Sequence, residues 1–442
     1  MPKNPLSRRQ FLAQGAAAGA FMVVPRRVVA GAAEAAPSER LQVAGIGAGG
    51  QAMADLGQVS QFADIVALCD VDQERAARAY ERWPDARRYT DYRVMLEKEQ
   101  QQIDAVVIAS PDHTHAVAAM AAMQLGKHVY VEKPMSHNIA ETRELMRVAR
   151  ETGVVTQMGN QGHSFPGVYR IRRWVDLGAV GPITEVHCWT NRPRWPQGID
   201  RPTETPPVPE TLDWDLWLGP AAHRPYHPAY CPRDWRGWWD FGTAALGDMG
   251  CHILDPPFYA LQLGAPARVT AEEEGATSET GPLRSKIVFE FPERGEGLPA
   301  CTLTWYDGDQ TPPRPEGIGE DEQLGDSDGG SLFLGAKSQI VSGTYSNNAR
   351  ILDEALAEEF EPSRREEYRS MGHHHNWVAA CKGEEETVSH FDYAGPLTEL
   401  VHLGNLAIRA GGPIEWDAAN MRVTNLPEAN EFVSREYRDG WR

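Results

Sequence analysis

Five short apolar runs recur through residues 41–158, each followed by a stretch with helical spacing. They are Leu41–Ile46, Ile65–Cys69, Ala105–Ala109, His128–Val131 and Val154–Met158. None alternates apolar with polar residues. Continuous runs of this kind are strands buried on both faces, and helical crossovers force them parallel. The pattern predicts an α/β fold that starts with a doubly wound Rossmann domain over residues 40–158. From residue 159 to residue 442 Pro, Gly and Trp become frequent. There Ala267–Ala271, Lys286–Phe291 and Ala300–Trp305 read as half-buried antiparallel strands. They predict a C-terminal α+β domain on an open, mainly antiparallel sheet, with Asp307–Gly330 as a long loop.

The N-terminus has a separate purpose. Ser7-Arg8-Arg9-Gln10-Phe11-Leu12 precedes an apolar run to Val24 and small residues through Ala33. Basic, then apolar, then small is the order of a signal peptide, and the paired arginines point to the twin-arginine route. Residues 1–33 are therefore expected to be removed on export to the periplasm or another extracytoplasmic space. No cysteine lies near the cleavage region and no later run reaches the ~18 apolar residues of a membrane span, so no membrane anchor is expected. The formal net charge of −19 disfavours nucleic acid and anionic lipid as partners. The six cysteines are far apart, without a Cys-x-x-Cys pair, and read as isolated core residues, with one disulfide left open.

The first run ends in Gly45-Ile46-Gly47-Ala48-Gly49-Gly50-Gln51-Ala52, which fits a dinucleotide turn in two registers. The register Gly47-x-Gly49-x-x-Ala52 is preferred, because the strand needs Ile46 as its last apolar residue. Gly47 then allows the tight turn, Gly49 lets backbone approach a pyrophosphate, and Ala52 packs the helix on the sheet, with Gly50 and Gln51 beside the phosphates. Asp70 closes the next strand, where a carboxylate bonds ribose hydroxyls and repels a 2′-phosphate. The cofactor read from this turn is NAD in preference to NADP.

Two more motifs follow strands, and so lie at the carboxyl edge of the sheet where such folds bind ligands. They are Ser110-Pro111-Asp112-His113-Thr114-His115 and Glu132-Lys133-Pro134. Much later, Asp248 and His252 stand four residues apart, on one face if helical. By itself that pair is either a surface pair or half of a metal site. With these residues in place, the chain resembles the glucose–fructose oxidoreductase / inositol dehydrogenase (Gfo/Idh/MocA) family over roughly residues 40–442. The resemblance implies a nucleotide domain plus an open-faced sheet domain, and a homodimer or homotetramer formed through that sheet. It implies catalytic roles for Lys133 near the reacting hydroxyl, Asp248 as substrate-positioning carboxylate and His252 as proton acceptor. Ser110, Pro111, His115, Glu132 and Lys133 would border the cofactor.

The chemistry accounts for these residue types. Removing hydride from a carbinol requires the hydroxyl proton to leave, so a base must stand within hydrogen-bond reach. A histidine accepts that proton near neutral pH, and a lysine stabilises developing alkoxide. Weaker substrate candidates are His163, Arg192, Tyr230 and Trp238. The last two belong to a segment that also holds Trp195, Trp214, Trp217, Trp235 and Trp239, of which two tryptophans are expected to touch substrate. Adjacent His373-His374-His375 cannot all face one ion from a helix start, so no metal is expected.

Export constrains the reaction, since soluble NAD is scarce outside the cytoplasm. The cofactor is therefore expected to be held tightly and recycled in place. The expected activity is oxidation of a carbinol of a sugar, glycoside or polyol. The alternatives are a redox-neutral, NAD-dependent glycoside hydrolase working through a 3-keto intermediate, and a sugar-binding protein that keeps NAD as a structural ligand.

Overall fold

The computed structural model describes residues 40–441 apart from 296, 316–317, 320 and 362–366, so the expected signal peptide lies outside the described residues. Six strands form a wholly parallel sheet: β1 (Leu41–Ile46), β2 (Ala63–Cys69), β3 (Arg87–Tyr89), β4 (Ala105–Ile108), β5 (His128–Val131) and β6 (Thr156–Met158). Their order, β3-β2-β1-β4-β5-β6, is that of a dinucleotide-binding doubly wound sheet. The crossovers are α1 (Ala52–Val59), α2 (Gln73–Arg82), α3 (Tyr92–Glu99), α4 (Asp112–Gln124) and α5 (Ile139–Thr152). Local chemistry marks their ends. The Asp72 carboxylate accepts from the amides of Glu74 and Arg75 to start α2. Asn138 caps α5, which stops at Gly153 in the left-handed region. Strand β3, Arg-Arg-Tyr at the sheet edge, was not expected, because its exposed charged residues carry no apolar run.

After α6 (Pro166–Asp176), the chain builds a nine-stranded second sheet. Strand β7 (Ile183–Thr190) is followed by the helices α7 (Trp214–Leu218), α8 (Ala244–Ile253) and α9 (Asp255–Ala260). Next come β8 (Arg268–Glu274), β9 (Arg284–Phe291), β10 (Cys301–Tyr306), β11 (Gly329–Gly335), β12 (Gln339–Gly343) and β13 (Arg350–Ile351). Helices α10 (Glu354–Glu359), α11 (His373–Cys381) and α12 (Phe391–Ala410), then β14 (Ile414–Asp417) and β15 (Arg422–Val423), complete it. The order is β13-β12-β11-β7-β10-β9-β8-β14-β15, antiparallel except where β7 runs parallel to β10. The expected antiparallel strands are present, and the expected loop runs to Gly329, where β11 begins.

Strand β9 shows how one face is buried. Ser285, Ile287, Phe289 and Phe291 turn inward, while Arg284 and Glu290 face water. The outer face carries ion pairs, among them Arg284 with Glu274 at 2.6 Å and Lys286 with Glu272 at 4.0 Å. On the inner face, α12 lies across β8 and also touches α5 and α8, so it ties the two sheets together. Gly404 permits that approach, because a Cβ there would stand 2.4 Å from Leu246 and 3.0 Å from Phe289. Ile108, Met158, Leu246, Phe289 and Leu403 consequently belong to one apolar core that runs under both sheets. All six cysteines are free, and five are buried.

Candidate active site

A cavity of about 390 Å³ opens at the carboxyl ends of the parallel strands, within the range of small-molecule sites. Its floor is the turn after β1. Gly47 sits at φ +79°, and a Cβ there would lie 2.6 Å from the Ser110 amide nitrogen and 2.7 Å from its Cα. Any side chain would collide with the backbone of the β4 loop, so glycine is required. The amides of Gly47 and Ala48 both donate to the Cys69 carbonyl. Asp70 accepts from the Gly49 amide at 3.0 Å and from the Asp72 amide at 2.9 Å. Burial pushes its carboxyl up to about 6, against the pull of those two amides. Gly49 and Gln51 line the cavity, and fully buried Ala52 packs the helix on the sheet. Gly50 does not line it: at φ +61° it turns outward against Arg75.

The two later loops form the next wall. Ser110 and Pro111 line the cavity at the start of α4. His115 joins the loops, its ring nitrogens lying 2.8 Å from the Pro134 carbonyl and 2.7 Å from the Ser110 carbonyl. Buried Asp112 accepts from the Thr243 hydroxyl at 2.6 Å. Glu132, also buried, accepts from the Gln161 amide at 2.9 Å. Burial raises the carboxyls of both, that of Glu132 strongly.

Lys133 points from the end of β5 to α8. Its ammonium donates to the Asp248 carbonyl at 2.6 Å and lies 3.2 Å from the Asp248 carboxylate. Burial alone would lower the ammonium, but Asp248 and Glu132 outweigh it and raise it, so Lys133 stays cationic. The Asp248 carboxylate meets three cations: Lys133, Arg236 at 3.2 Å and Arg192 at 3.7 Å. Against burial, Lys133 and Arg236 hold it well below the usual carboxylate range. One turn on, His252 lines the same cavity, 4.8 Å from the Tyr345 ring between centroids. Burial, and then the charge of Lys133, lower its imidazole well below the ordinary value, so the ring is neutral. Its Nδ1 is buried without a hydrogen-bond partner among the described residues. Lys133, from the end of β5, and Asp248 and His252, from α8, thus meet at one end of the cavity while the glycine turn forms the other.

Three of the weaker candidates belong elsewhere. His163 does not line the cavity: its Nδ1 is 2.9 Å from both Asp255 oxygens, and Tyr259 and Tyr393 pack on its ring. Tyr230 and Trp238 are fully buried against each other in a layer of aromatic rings, with the Trp238 indole donating to the Ala229 carbonyl. Their neighbours Trp217 and Trp235 reach the cavity instead, two of the six tryptophans in that segment. The three adjacent histidines go to three separate partners: His373 to Ser164, His374 to Asp55 and His375 to the Phe62 ring. Tyr345, on the turn after β12, and Trp441, near the C-terminus, also line the cavity. No motif around either residue announces it.

Later parts of the chain border the Asp70 end of the cavity. The Asp213 amide donates to the Val71 carbonyl, and the Gln73 amide to the Thr211 carbonyl. From the C-terminus, Arg438 donates to the Gly219 carbonyl, and Trp441 stacks under Arg93 at 4.2 Å.

Comparison with known proteins agrees with this geometry. Residues 40–160 match the family described as "Oxidoreductase family, NAD-binding Rossmann fold", and residues 175–292 its "C-terminal alpha/beta domain". The chain is 27% identical to a levoglucosan dehydrogenase of Pseudarthrobacter phenanthrenivorans over 197 residues, 43% of this chain and 41% of that protein. It is 26% identical to an inositol 2-dehydrogenase of Salmonella typhimurium over 126 residues, 28% of this chain and 37% of that one. The match thus spans less than half the length of these curated relatives. Among solved structures, an NAD-binding protein from Listeria innocua superposes with a TM-score of 0.60 at 16% identity, covering 85% of this chain and 97% of that one. A levoglucosan dehydrogenase in complex with NADH gives 0.58 at 16%, covering 85% and 99%. At that identity the superpositions speak for the fold alone. The nucleotide turn, the motif order and the two matched regions together place the chain in the Gfo/Idh/MocA family of NAD-binding oxidoreductases.

Proposed function

We propose that this protein oxidises a carbinol of a sugar or polyol, with NAD retained from one turnover to the next. One observation carries the reading: a lysine, a carboxylate and a neutral histidine converge at the end of a cavity whose floor is a glycine-only nucleotide turn. The similarity to a levoglucosan dehydrogenase and to inositol dehydrogenases supports the substrate class.

Gly47, Gly49, Gln51, Ser110 and Pro111 fit a dinucleotide, since a Cβ at either glycine would strike Ser110 or Arg75 and push apart the turn that lines the cavity. Asp70 stands at the ribose position, and its carboxylate disfavours a 2′-phosphate, which supports NAD over NADP. When bound, the cofactor supplies the hydride acceptor. The chain's own residues do the rest. Lys133, cationic and fixed by two contacts to Asp248, presents its ammonium to the reacting oxygen and stabilises the alkoxide as charge develops. His252 carries no proton at rest, so it is free to accept the hydroxyl proton. Asp248 accepts bonds from neighbouring hydroxyls, which selects a polyol over an apolar alcohol. Trp217, Trp235 and Trp441 wall the cavity.

The later segments that border the Asp70 end of the cavity support slow cofactor release. Export through the twin-arginine motif, which carries folded proteins, fits an enzyme that must leave with its cofactor in place. A homodimer or homotetramer over the outer face of the second sheet completes the reading. Light scattering tests the assembly, and sequencing the secreted protein's N-terminus tests the export.

The deciding experiment mixes purified mature protein, without added cofactor, with free sugars and nitrophenyl glycosides, following nicotinamide absorbance and nitrophenol together. Bound NADH accumulating with a keto-sugar is expected. Nitrophenol release without NADH would replace the reading with a redox-neutral hydrolase. Retained NAD with neither signal would leave a sugar-binding protein.

A further inference from the structure

At the catalytic end of the cavity three cations crowd one carboxylate. Lys133, Arg192 and Arg236 all line that end, and all three draw on the single carboxylate of Asp248. Arg192 reaches a second carboxylate, Asp328, at 3.2 Å, but Arg194 claims that group at 2.8 Å. The other acids at this end bond elsewhere: Asp112 accepts from Thr243 and Glu132 from Gln161, and neither forms an ion pair with Arg192 or Arg236 among the described residues. His252, the remaining titratable group facing Asp248 along its helix, is neutral, and Tyr345 opposite is held in its phenol form by burial.

The arginines are also placed to be used. Each meets Asp248 through Nε, and neither Nη2 has a hydrogen-bond partner among the described residues. The Arg236 guanidinium carbon lies over the Trp235 ring, 4.3 Å from its centroid. A guanidinium with an open edge matches a planar carboxylate in two parallel hydrogen bonds. Two guanidinium groups that share one carboxylate keep donors to offer, which an entering carboxylate can accept.

We propose that the substrate is an acidic sugar, a uronate or aldonate, whose carboxylate is held by Arg192 and Arg236 while Lys133 faces the hydroxyl to be oxidised. The inference rests on the oxidoreductase reading and names its substrate class.

The test uses the cofactor-loaded protein and matched sets: glucuronate, its methyl ester and glucose, galacturonate with its ester and galactose, and the 6-phosphates of both sugars. Turnover is read from nicotinamide absorbance and binding from calorimetry. An acid is expected to exceed its neutral ester in kcat/KM and in affinity by at least about tenfold, the equivalent of roughly 1.4 kcal/mol. Arg192→Gln and Arg236→Gln should each lower that acid-to-ester ratio about tenfold, and Arg236→Lys should restore part of it. If a variant fails to fold, the wild-type ratio still decides. Esters or neutral sugars handled as well as the acids would overturn the proposal, as would preference for the 6-phosphates. Should nothing reduce the cofactor, the oxidoreductase reading falls, while selective binding of the acid would still uphold the charge argument and its absence would end it.

Discussion

Asp248→Asn is the sharpest perturbation of the site, because one substitution removes the shared partner of three cations. Two of them lie at 3.2 Å and the third at 3.7 Å from its oxygens. At an effective dielectric of about 20, each near pair has a gross attraction of roughly 5 kcal/mol, most of it consumed by desolvation. Leaving partly buried cations unpaired costs about 3–5 kcal/mol net. The Asp248 side chain is 13% exposed, so water reaches the site and the lower end, about 3 kcal/mol, applies. At roughly 2 °C per kcal/mol for a chain of this size, melting should fall by about 6 °C. The pH response follows from the depressed carboxyl. The ion cluster contributes stability that is present above the unfolded value near 3.8 and is lost only as pH falls through the lower folded value. The gap between wild type and variant should therefore be the same at about pH 5 and about pH 8. Differential scanning fluorimetry of both proteins, loaded with NAD, measures it. The variant should also lose nicotinamide reduction yet bind glucuronate more tightly, since the competing carboxylate is gone. A variant that melts with the wild type, or a gap that closes by pH 5, would refute the reasoning.

Three further outcomes are expected. Lys133→Ala should keep its cofactor but lose nicotinamide reduction by about 100-fold or more, measured as single-turnover absorbance; cofactor loss instead would mean that the lysine holds the nucleotide. Gly47→Ala combines a left-handed backbone with a Cβ 2.6 Å from the Ser110 backbone. Its cost of about 2–5 kcal/mol should appear as a lower melting temperature and cofactor-free protein, and normal NAD content would disprove the glycine argument. The Asp70 carboxyl, raised to about 6, stabilises the fold most below its unfolded value of 3.8, and that contribution is lost as pH rises through about 6. Asp70→Asn should therefore gain on the wild type by up to about 3 kcal/mol between acid and neutral pH, and a pH-independent difference in melting would contradict the raised value.

The parallel sheet was legible because burial on both faces leaves one unbroken apolar signature per strand, and its turns lie beside those strands in sequence. Strand β3 broke that rule by lying at an edge. In the second sheet, β8, β9 and β10 were visible, but β7 was not. It runs between β11 and β10 in the middle of the sheet with Val186 to Thr190 buried in succession, so it lacks the expected alternation. The long helix α12 is apolar nearly all round and contains Pro396, which hides both its period and its continuity.

The site divides in the same way, and the division says where specificity is built. Gly47, Asp70, Ser110, Glu132 and Lys133 are readable because each follows a strand of a repeating unit, and they serve the part of the chemistry that any such unit needs. The residues that enclose the other half come from far along the chain: Arg192 after β7, Arg236 before α8, Tyr345 on the turn after β12 and Trp441 at the end. Of these, Arg236 lies over Trp235, which belongs to a layer of aromatic rings. The rings of Trp214, Trp217, Tyr230, Trp238 and Phe241 pack at 4.8–5.5 Å in successive pairs. Tyr230 and Trp238 are therefore matrix rather than contact, and what they fix is the wall that presents Trp235 and Arg236 to the cavity. A cation is indifferent to sequence distance, so the meeting of Lys133, Arg192 and Arg236 on one carboxylate is a property of the fold alone. It follows that changes in this wall should alter which sugar is taken while leaving the nucleotide turn and its ligand untouched.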